Sequence, residues 1–276
     1  MPLAMGRDLL IAAEAGGYAV PGFNVSNIEL ALGVLDAANA HGAPVLLQFN
    51  QSNLDHIGGV AVARALARAL AAEASVPVAV HLDHGPSVAL VRAAVQAGFT
   101  SLMFDGSTTP FERNLRDTRE AVAVALEAGL AIEAELGHVG GREPGVATSE
   151  SVLTDPTAAR QFVAETRVDS LAVSVGTAHG MAGQVRLDLI EELRVATHHL
   201  PLVLHGGSGV TPRDLTESVR AGIRKVNIST EIHAAFVRGL GEVSGKDPRP
   251  ALLRARAAVA EAAAQRIELL GAARRA

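Results

Sequence analysis

The chain has 276 residues, a formal net charge of -5 and no cysteine. The absence of cysteine excludes disulfides, thiolate metal sites and thiol nucleophiles. A negative net charge together with only 3% aromatic residues argues against a nucleic-acid surface, which needs a basic face or stacking rings. No apolar run reaches the roughly 20 residues of a membrane span, and no signal or transit peptide is visible. We therefore expect a soluble, cytoplasmic protein.

Short apolar runs of strand length alternate along the chain with longer segments of helical spacing. The predicted strands are Ala19–Val25, Pro44–Asn50, Val76–His84, Thr100–Gly106, Ala131–Gly137, Ser170–Gly176, Leu200–Gly206 and Lys225–Thr230. The predicted helices are Asn27–Ala40, Gly58–Glu73, Ser87–Ala97, Pro110–Ala128, Asp155–Thr166, Leu187–His198 and Pro212–Ala221. Such alternation indicates an α/β protein with a parallel sheet, and eight units predict a closed (β/α)8 TIM barrel. A doubly wound open sheet is the alternative.

We expect one domain over residues 1–276, because no linker, low-complexity tract or second pattern divides the chain, and barrels of this size form single units. The tail from Asp247 to Ala276 is predicted as one or two further helices packed outside the barrel.

Three histidines, His84, His179 and His205, each stand at the exit of a predicted strand. Imidazole is the commonest protein ligand for zinc, and three protein ligands with one open position describe a catalytic zinc site. His84 follows Asp83 directly and would point away from it if the strand continued. Because Gly85 and Pro86 end the strand, the chain can turn there and direct His84 inward. The spacing therefore predicts one metal at one mouth of the barrel.

Further polar residues follow the strands at the same predicted mouth, where barrel enzymes place catalysis. They are Asn24, Asn50, Asp83, Asp105, Glu135 and Asn227. Glu133 and Glu135 face one way, with Glu135 nearer the mouth. Asp105 and Glu135 could form a second metal position or orient the histidines. The alternative is a salt-bridge layer inside the barrel.

Two glycine-rich turns accompany the candidate histidines, around Gly180 and over Gly206, Gly207 and Ser208. Such turns let backbone N–H groups approach a phosphate, and barrels often bind phosphate after strands seven and eight. A mere tight turn is the alternative for either one alone. After the fifth strand, a loop of about fifteen residues that carries Glu143 is long enough to be a lid. The remaining histidines are expected on the surface or in loops: His41, His56, His138, His198, His199 and His233.

Seven segments, in this order and spacing, resemble the class II, zinc-dependent ketose-bisphosphate aldolases. They are VPGFNVSNIE, HLDHG, FDGS, EAELGHVGG, GTAHG, HGGSG and KVNISTE. The resemblance covers nearly the whole chain. It implies a TIM barrel, homodimeric or homotetrameric, that reversibly cleaves a ketose phosphate to dihydroxyacetone phosphate and an aldehyde. The expected substrates are fructose 1,6-bisphosphate or tagatose 1,6-bisphosphate, which would place the protein in glycolysis or related carbohydrate metabolism.

By this resemblance, His84, His179 and His205 bind the catalytic zinc (Zn2+), Asp83 is the acid/base, and Glu143 moves the enediolate proton. Asp105 and Glu135 match alternative metal ligands, and the family also allows a monovalent cation, Na+ or K+. The expected substrate-binding residues are Asn24, Asn50, Gly180, Gly206, Gly207, Ser208, Asn227, Ser229 and Thr230. Zinc stabilises the enediolate charge as a Lewis acid. The other known electron sink is a lysine Schiff base, but Lys225 is predicted at the start of its strand, on the opposite mouth, and Lys246 lies in the tail.

Several departures from the family pattern concern the aldehyde half of the substrate and the lid. Asn50-Gln51-Ser52 replaces a Ser-Glu-Gly or Ser-Pro-Gly run, Met181-Ala182-Gly183 replaces an aromatic residue and a lysine, and Pro144 stands where Asp is common. Two alternatives therefore stay open. One is an aldolase of the same family for another aldehyde half, such as that of 6-phospho-5-dehydro-2-deoxygluconate, and the other is a non-catalytic sugar-phosphate-binding barrel.

Overall fold

The computed structural model describes residues 3–141, 151–181, 183–242 and 246–276. The strands in these ranges are β1 (Val20–Asn24), β2 (Val45–Phe49), β3 (Val78–Gly85), β4 (Ser101–Phe104), β5 (Ile132–Leu136), β6 (Ser170–Val173), β7 (Leu202–Leu204) and β8 (Ile223–Ile228). They pair in parallel in chain order, and β8 closes the barrel by pairing with β1. The predicted (β/α)8 TIM barrel is confirmed, and the open sheet is excluded.

The helices of the described ranges surround the barrel. They are α1 (Gly6–Gly16), α2 (Ile28–His41), α3 (Gln51–Ile57), α4 (Val60–Glu73), α5 (Val88–Ala97), α6 (Phe111–Glu127), α7 (Pro156–Thr166), α8 (Leu187–Ala196), α9 (Pro212–Ala221), α10 (Thr230–Leu240) and α11 (Arg249–Leu269). None of them combines the length and the apolar character needed to cross a membrane.

All seven predicted helices are present, and the tail forms the single long helix α11. Asn27, Ser87, Asp155 and Thr211 cap four of these helices, because each side chain accepts a hydrogen bond from a backbone N–H three residues later,. Three helices were not predicted: α1, α3 and α10. The pattern does not reveal α3 and α10 because Asn50 and Thr230 continue the strand-like runs that precede them.

Helix α1 lies at the N-terminal mouth of the barrel. The Ala4 N–H donates to the Val78 carbonyl oxygen at 2.8 Å, at the start of β3, and the Gly6 N–H donates to that of Thr100 at 3.0 Å, just before β4. Glu14 anchors the other end of α1 through ion pairs with Arg194 of α8 at 2.5 Å and Arg224 of β8 at 2.7 Å. The N-terminal mouth is therefore occupied, and the C-terminal mouth is left for a site.

We expect Glu14→Gln to lower the free energy of unfolding by about 2 kcal/mol, because the buried Arg224 guanidinium would keep its charge without a counter-ion. Urea unfolding measures the change. Glu73→Gln, at an exposed position at the end of α4, is the control and should change the free energy by less than about 0.5 kcal/mol. Equal values for the two variants would contradict the anchoring role of Glu14.

The inside of the barrel is polar, whereas TIM barrels usually fill it with branched apolar side chains. Met103, Ala172 and Val203 form a small apolar cluster that is separate from the main hydrophobic core. The buried polar side chains of the strands include Gln48, His81, Asp83, Glu133, Glu135, Lys225 and Asn227. Burying these polar groups costs free energy unless they form hydrogen bonds with one another. The hydrogen bonds among them hold the side chains of the site in place.

The start of β8 differs from the prediction. The strand begins at Ile223, two residues earlier than expected, so Lys225 is its third residue. The Lys225 side chain is 1% exposed, and its Nζ lies 2.6 Å from Glu133 Oε2 inside the barrel. The predicted position of Lys225 on the opposite mouth is therefore wrong. The same shift places Ser229 and Thr230 at the N-terminus of α10 rather than in the strand.

Candidate metal and substrate site

The three predicted histidines meet at the C-terminal mouth of the barrel. His84 comes from the end of β3, His179 from the loop after β6, and His205 directly follows β7. One ring nitrogen from each forms a set in which all atoms lie within 4.8 Å of one another. The arrangement matches a three-histidine ligand set with an open side.

The orientation of His84 depends on a local irregularity of β3. The register between β3 and β4 shifts between Leu82 and Gly85, and His84 itself has φ 45°. A bulge turns the strand, and a left-handed backbone at a non-glycine residue costs free energy that the surrounding structure must supply. The expected turn after Asp83 is thus made at His84 itself, one residue before Gly85.

A carboxylate holds the outer ring nitrogen of two of the histidines. Asp105 Oδ2 lies 2.7 Å from His84 Nδ1, and Glu133 Oε1 lies 3.0 Å from His205 Nε2. The two remaining ring nitrogens, His84 Nε2 and His205 Nδ1, face each other at 2.7 Å. A carboxylate behind each ring is the usual way in which proteins orient metal-binding imidazoles.

The charge states of these groups favour metal binding at neutral pH. Burial lowers the pKa of His179 to about 3, and burial followed by the His84 charge lowers the pKa of His205 well below its ordinary value. Burial opposes ionisation of Asp105, but the hydrogen bond and charge of His84 outweigh it and hold the Asp105 pKa below its usual range. Neutral His179 and His205 have lone pairs available for a cation.

Glu135 is the residue that tests most directly whether this cluster fits a cation. Within the described ranges its Oε2 is buried without a hydrogen-bond partner, 3.7 Å from His84 Nδ1 and 3.9 Å from His205 Nδ1. Burial and the Asp105 charge raise the pKa of Glu135 well above its ordinary value. His84, Asp105 and Glu135 form a second group with metal-ligand spacing. A cation beside Glu135 would satisfy this oxygen, so the donor set fits a metal.

Asp83 is fixed beside the histidines by two amides. Asn24 Nδ2 donates to Asp83 Oδ2 and Asn227 Nδ2 donates to Asp83 Oδ1, each at 2.7 Å. Gln48 Nε2 in turn donates to Asn227 Oδ1 at 3.0 Å. Burial opposes ionisation of Asp83, but the neighbouring positive charges, that of His84 first, and the Asn24 hydrogen bond lower its pKa below the ordinary value. Asp83 is therefore an oriented carboxylate that can accept a proton.

A small cavity opens next to the histidines, and most of the predicted substrate-binding residues line it. Its lining is Asn24, His179, Gly180, Gly206, Ser208, Asn227, Ser229 and Thr230. Gly206 has φ 71°, and a Cβ there would lie 2.8 Å from the Ala178 carbonyl oxygen. Glycine therefore lets the turn after β7 approach the His179 loop closely. Ser208 Oγ accepts hydrogen bonds from the N–H groups of Ser229 and Glu231 at 3.3 Å.

Asn50 has a different position from the other predicted binding residues. Its side chain caps α3, where Asn50 Oδ1 accepts from the Asn53 N–H at 2.9 Å and Asn53 Oδ1 accepts from the Asn50 N–H at 3.2 Å. Asn53 also accepts a hydrogen bond from Asn24 at 3.4 Å. Sequence reasoning missed Asn53, although an Asn-x-x-Asn spacing after a strand is typical of a helix start.

A second cavity, of about 180 Å³, adjoins His84 and His179. It is lined by His84, Pro86, Asp105, Thr108, Glu135, His138, Val139 and His179. His138 lies in the loop after β5, as expected, and its Nδ1 lies 3.2 Å from Ser107 Oγ. The predicted lid glutamate, Glu143, lies outside the described residues.

A (β/α)8 barrel with histidines and carboxylates clustered at its C-terminal mouth is the arrangement of a barrel enzyme. The family model described as "Fructose-bisphosphate aldolase class-II" matches residues 5–275. The chain therefore belongs to the class II fructose-bisphosphate aldolase family. It is an aldolase, a carbon–carbon lyase, as the resemblance implied; the family acts on sugar phosphates and is in general zinc-dependent.

Individual relatives that match at least 98% of this chain are also aldolases. The chain is 36% identical to the fructose-bisphosphate aldolase of Staphylococcus aureus, with 100% of each chain covered. It is 39% identical to that of Thermus caldophilus, covering 99% of this chain and 100% of the relative. The solved structure of the YdjI aldolase from Escherichia coli K12 superposes with a TM-score of 0.88 at 35% identity, covering 98% of both chains.

Proposed function

We propose that the protein is a zinc-dependent aldolase that reversibly cleaves fructose 1,6-bisphosphate or tagatose 1,6-bisphosphate to dihydroxyacetone phosphate and an aldehyde. The observation that carries this proposal is that three histidine rings with metal-ligand spacing, the oriented carboxylate of Asp83 and a glycine-lined cavity lie together at one mouth. The names of the relatives support the choice of substrate.

His84, His179 and His205 would hold the metal, with Asp105 and Glu135 as alternative ligands or as the groups that orient the rings. Zinc in this position supplies a Lewis acid for the negative charge that develops on the ketone oxygen as the carbon–carbon bond breaks. The family also allows Na+ or K+ as a monovalent cofactor. The position of Asp105 favours the role of orienting a ring, because Asp105 Oδ2 lies 2.7 Å from His84 Nδ1.

Asp83 would take the proton from the hydroxyl group at the bond that breaks, and return it in the condensation direction. The amides of Asn24 and Asn227 keep both carboxylate oxygens in place for this transfer. Glu143 would move the proton at the carbon of the dihydroxyacetone phosphate half, as the family resemblance implies.

The phosphate of the dihydroxyacetone phosphate half would bind in the small cavity next to His179. Hydroxyl groups, glycine backbone and the N-terminus of α10 meet there, and a helix N-terminus attracts anions. Gly180, Gly206, Gly207, Ser208, Ser229 and Thr230 are the proposed contacts. The contact of Asn50 with the aldehyde half of the substrate stays a prediction.

Replacing Ser208 with alanine should raise KM for the sugar phosphate by about tenfold or more and leave kcat nearly unchanged, since a hydrogen bond to a charged group is lost equally in ground and transition states. Steady-state kinetics measure both constants. Ser75→Ala, at an exposed position near the opposite mouth, is the control. An unchanged KM for Ser208→Ala would remove Ser208 from the phosphate contacts.

The chain would act as one catalytic domain over residues 1–276 and assemble into a homodimer or homotetramer. Analytical ultracentrifugation tests the assembly. A monomer at the concentrations of the activity assay would contradict it.

The choice of aldehyde half needs a substrate test, because the Asn50 side chain caps α3. The experiment is a coupled assay of dihydroxyacetone phosphate release from fructose 1,6-bisphosphate, tagatose 1,6-bisphosphate and 6-phospho-5-dehydro-2-deoxygluconate. We expect one of the two bisphosphates to give the highest kcat/KM. Preference for the deoxygluconate would replace the substrate but keep the reaction. No turnover of any of them, with binding retained, would indicate a sugar-phosphate-binding barrel instead.

A further inference from the structure

Lys225 is a buried charge that the proposed reaction does not use. It stands inside the barrel on β8, 1% exposed, two residues before Asn227. Its Nζ donates to Glu133 Oε2 at 2.6 Å and lies 3.1 Å from His81 Nε2. An ammonium group has only donors, so His81 Nε2 accepts and its Nδ1–H donates to Ser101 Oγ at 2.7 Å,. Lys225 is therefore held by two fixed partners.

Glu133 links this lysine to the candidate metal ligand His205. One carboxylate oxygen, Oε2, accepts from Lys225, and the other, Oε1, lies 3.0 Å from His205 Nε2. A carboxylate accepts hydrogen bonds, so His205 carries its proton on Nε2. The lone pair of His205 is then on Nδ1, the atom that faces His84 Nε2 at 2.7 Å. The contact with Glu133 thus leaves Nδ1 as the His205 nitrogen that would face a metal.

We propose that Lys225 and Glu133 form a positioning pair that fixes the tautomer and ring orientation of His205 for metal binding. Lys225 keeps Glu133 in the orientation in which one oxygen faces each partner. This inference rests on the proposed zinc site. It assigns Lys225 a role through the metal ligand and none in covalent chemistry with the substrate.

A merely structural ion pair is a weaker explanation of this geometry. Burying two opposite charges rarely stabilises a fold more than apolar side chains of the same size would. Groups that orient the metal ligands, in contrast, typically change metal affinity by about 10–100-fold when they are replaced. The pair lies directly behind His205, and Asp105 has the same relation to His84.

The test measures zinc affinity by competition with a chromophoric chelator, with the visible absorption of the Co2+-loaded protein as a second readout. Lys225→Met and Glu133→Gln should each weaken zinc binding by about 10–100-fold and alter the Co2+ spectrum. Saturating zinc should recover most of the kcat. Lys246→Met, at an exposed position, is the matched control and should change neither readout.

The single variants leave one buried charge unpaired and can fail to fold, so the double variant Glu133→Gln/Lys225→Met is measured as well. Its two neutral side chains remove the pair together, and the amide introduced in place of the Glu133 carboxylate keeps an oxygen for His205 Nε2–H. We expect it to fold and to bind zinc about tenfold more weakly than the parent protein.

Zinc affinity equal to that of the parent protein in the folded double variant would overturn the positioning role. Attachment of dihydroxyacetone phosphate to Lys225 after borohydride treatment would also overturn it, since borohydride traps a lysine–ketone Schiff base by reducing the imine to a stable amine. If the parent protein itself binds no zinc, the proposed function fails as well, so the two failures are distinguishable.

Discussion

Replacing Asp83 with alanine is expected to lower kcat by at least about 10²-fold, the usual size of an acid/base contribution. Zinc content should stay at one ion per chain, because Asp83 is bound by the amides of Asn24 and Asn227 rather than placed among the proposed ligands. The coupled assay measures kcat, and atomic absorption measures the metal. This combination separates an acid/base role from a role in holding the metal.

The control for Asp83 is Asp55→Ala, at an exposed position on α3. It should leave kcat within about twofold, as is usual for surface substitutions. A near-normal rate for Asp83→Ala would show that another group handles the hydroxyl proton. Loss of zinc from Asp83→Ala would show instead that the carboxylate supports the metal site.

Replacing His205 with alanine should remove the metal and, with it, most of the activity. The His205 ring is completely buried, with Nδ1 toward His84 and Nε2 toward Glu133, so no water-exposed group can take its place. Loss of a metal that contributes about 4 kcal/mol of charge stabilisation lowers kcat by about 10³-fold. Zinc content and kcat are measured on the same preparation.

His56→Ala, at an exposed position on α3, should retain stoichiometric zinc and full activity. Stoichiometric, tightly held zinc in His205→Ala would remove His205 from the ligand set. The positioning role of Glu133 and Lys225 would then also lose its basis.

The barrel and the three histidines could be predicted because both depend on local patterns. Apolar runs mark strands, and a residue that ends a parallel strand in a barrel reaches the same mouth as the other strand ends. His179 and His205 followed from this rule alone. His84 needed a further turn, which the glycine and proline after it indicated, although the backbone makes the turn at His84 itself.

The partners inside the barrel could not be predicted in the same way. Lys225 and Glu133 are 92 residues apart in the chain, and their contact depends on the register across several strands. The predicted start of β8 is two residues too late, so the prediction places Lys225 at the N-terminal mouth instead of in the barrel interior. The alternation of Glu133 with Glu135 is visible in the sequence, but the contact of Glu133 with His205 is visible only in three dimensions.

The missed helices have a similar cause. Asn50 ends a strand-like run and also caps α3. The sequence around Asn50 is compatible with either a strand end or a helix start. After β8, Ser229 and Thr230 belong to the start of α10, where their position next to Ser208 matters for the proposed phosphate site. Strand-length patterns alone do not separate a strand end from the helix that begins there.

We propose that His84, His179 and His205 hold a zinc ion that is needed for carbon–carbon bond cleavage. The most direct measurement is a zinc titration of the thoroughly metal-stripped protein, followed by dihydroxyacetone phosphate release from fructose 1,6-bisphosphate and tagatose 1,6-bisphosphate. We expect no turnover above background without metal and a linear rise up to one zinc ion per chain. Full turnover by the metal-free protein would show that the cleavage does not need zinc.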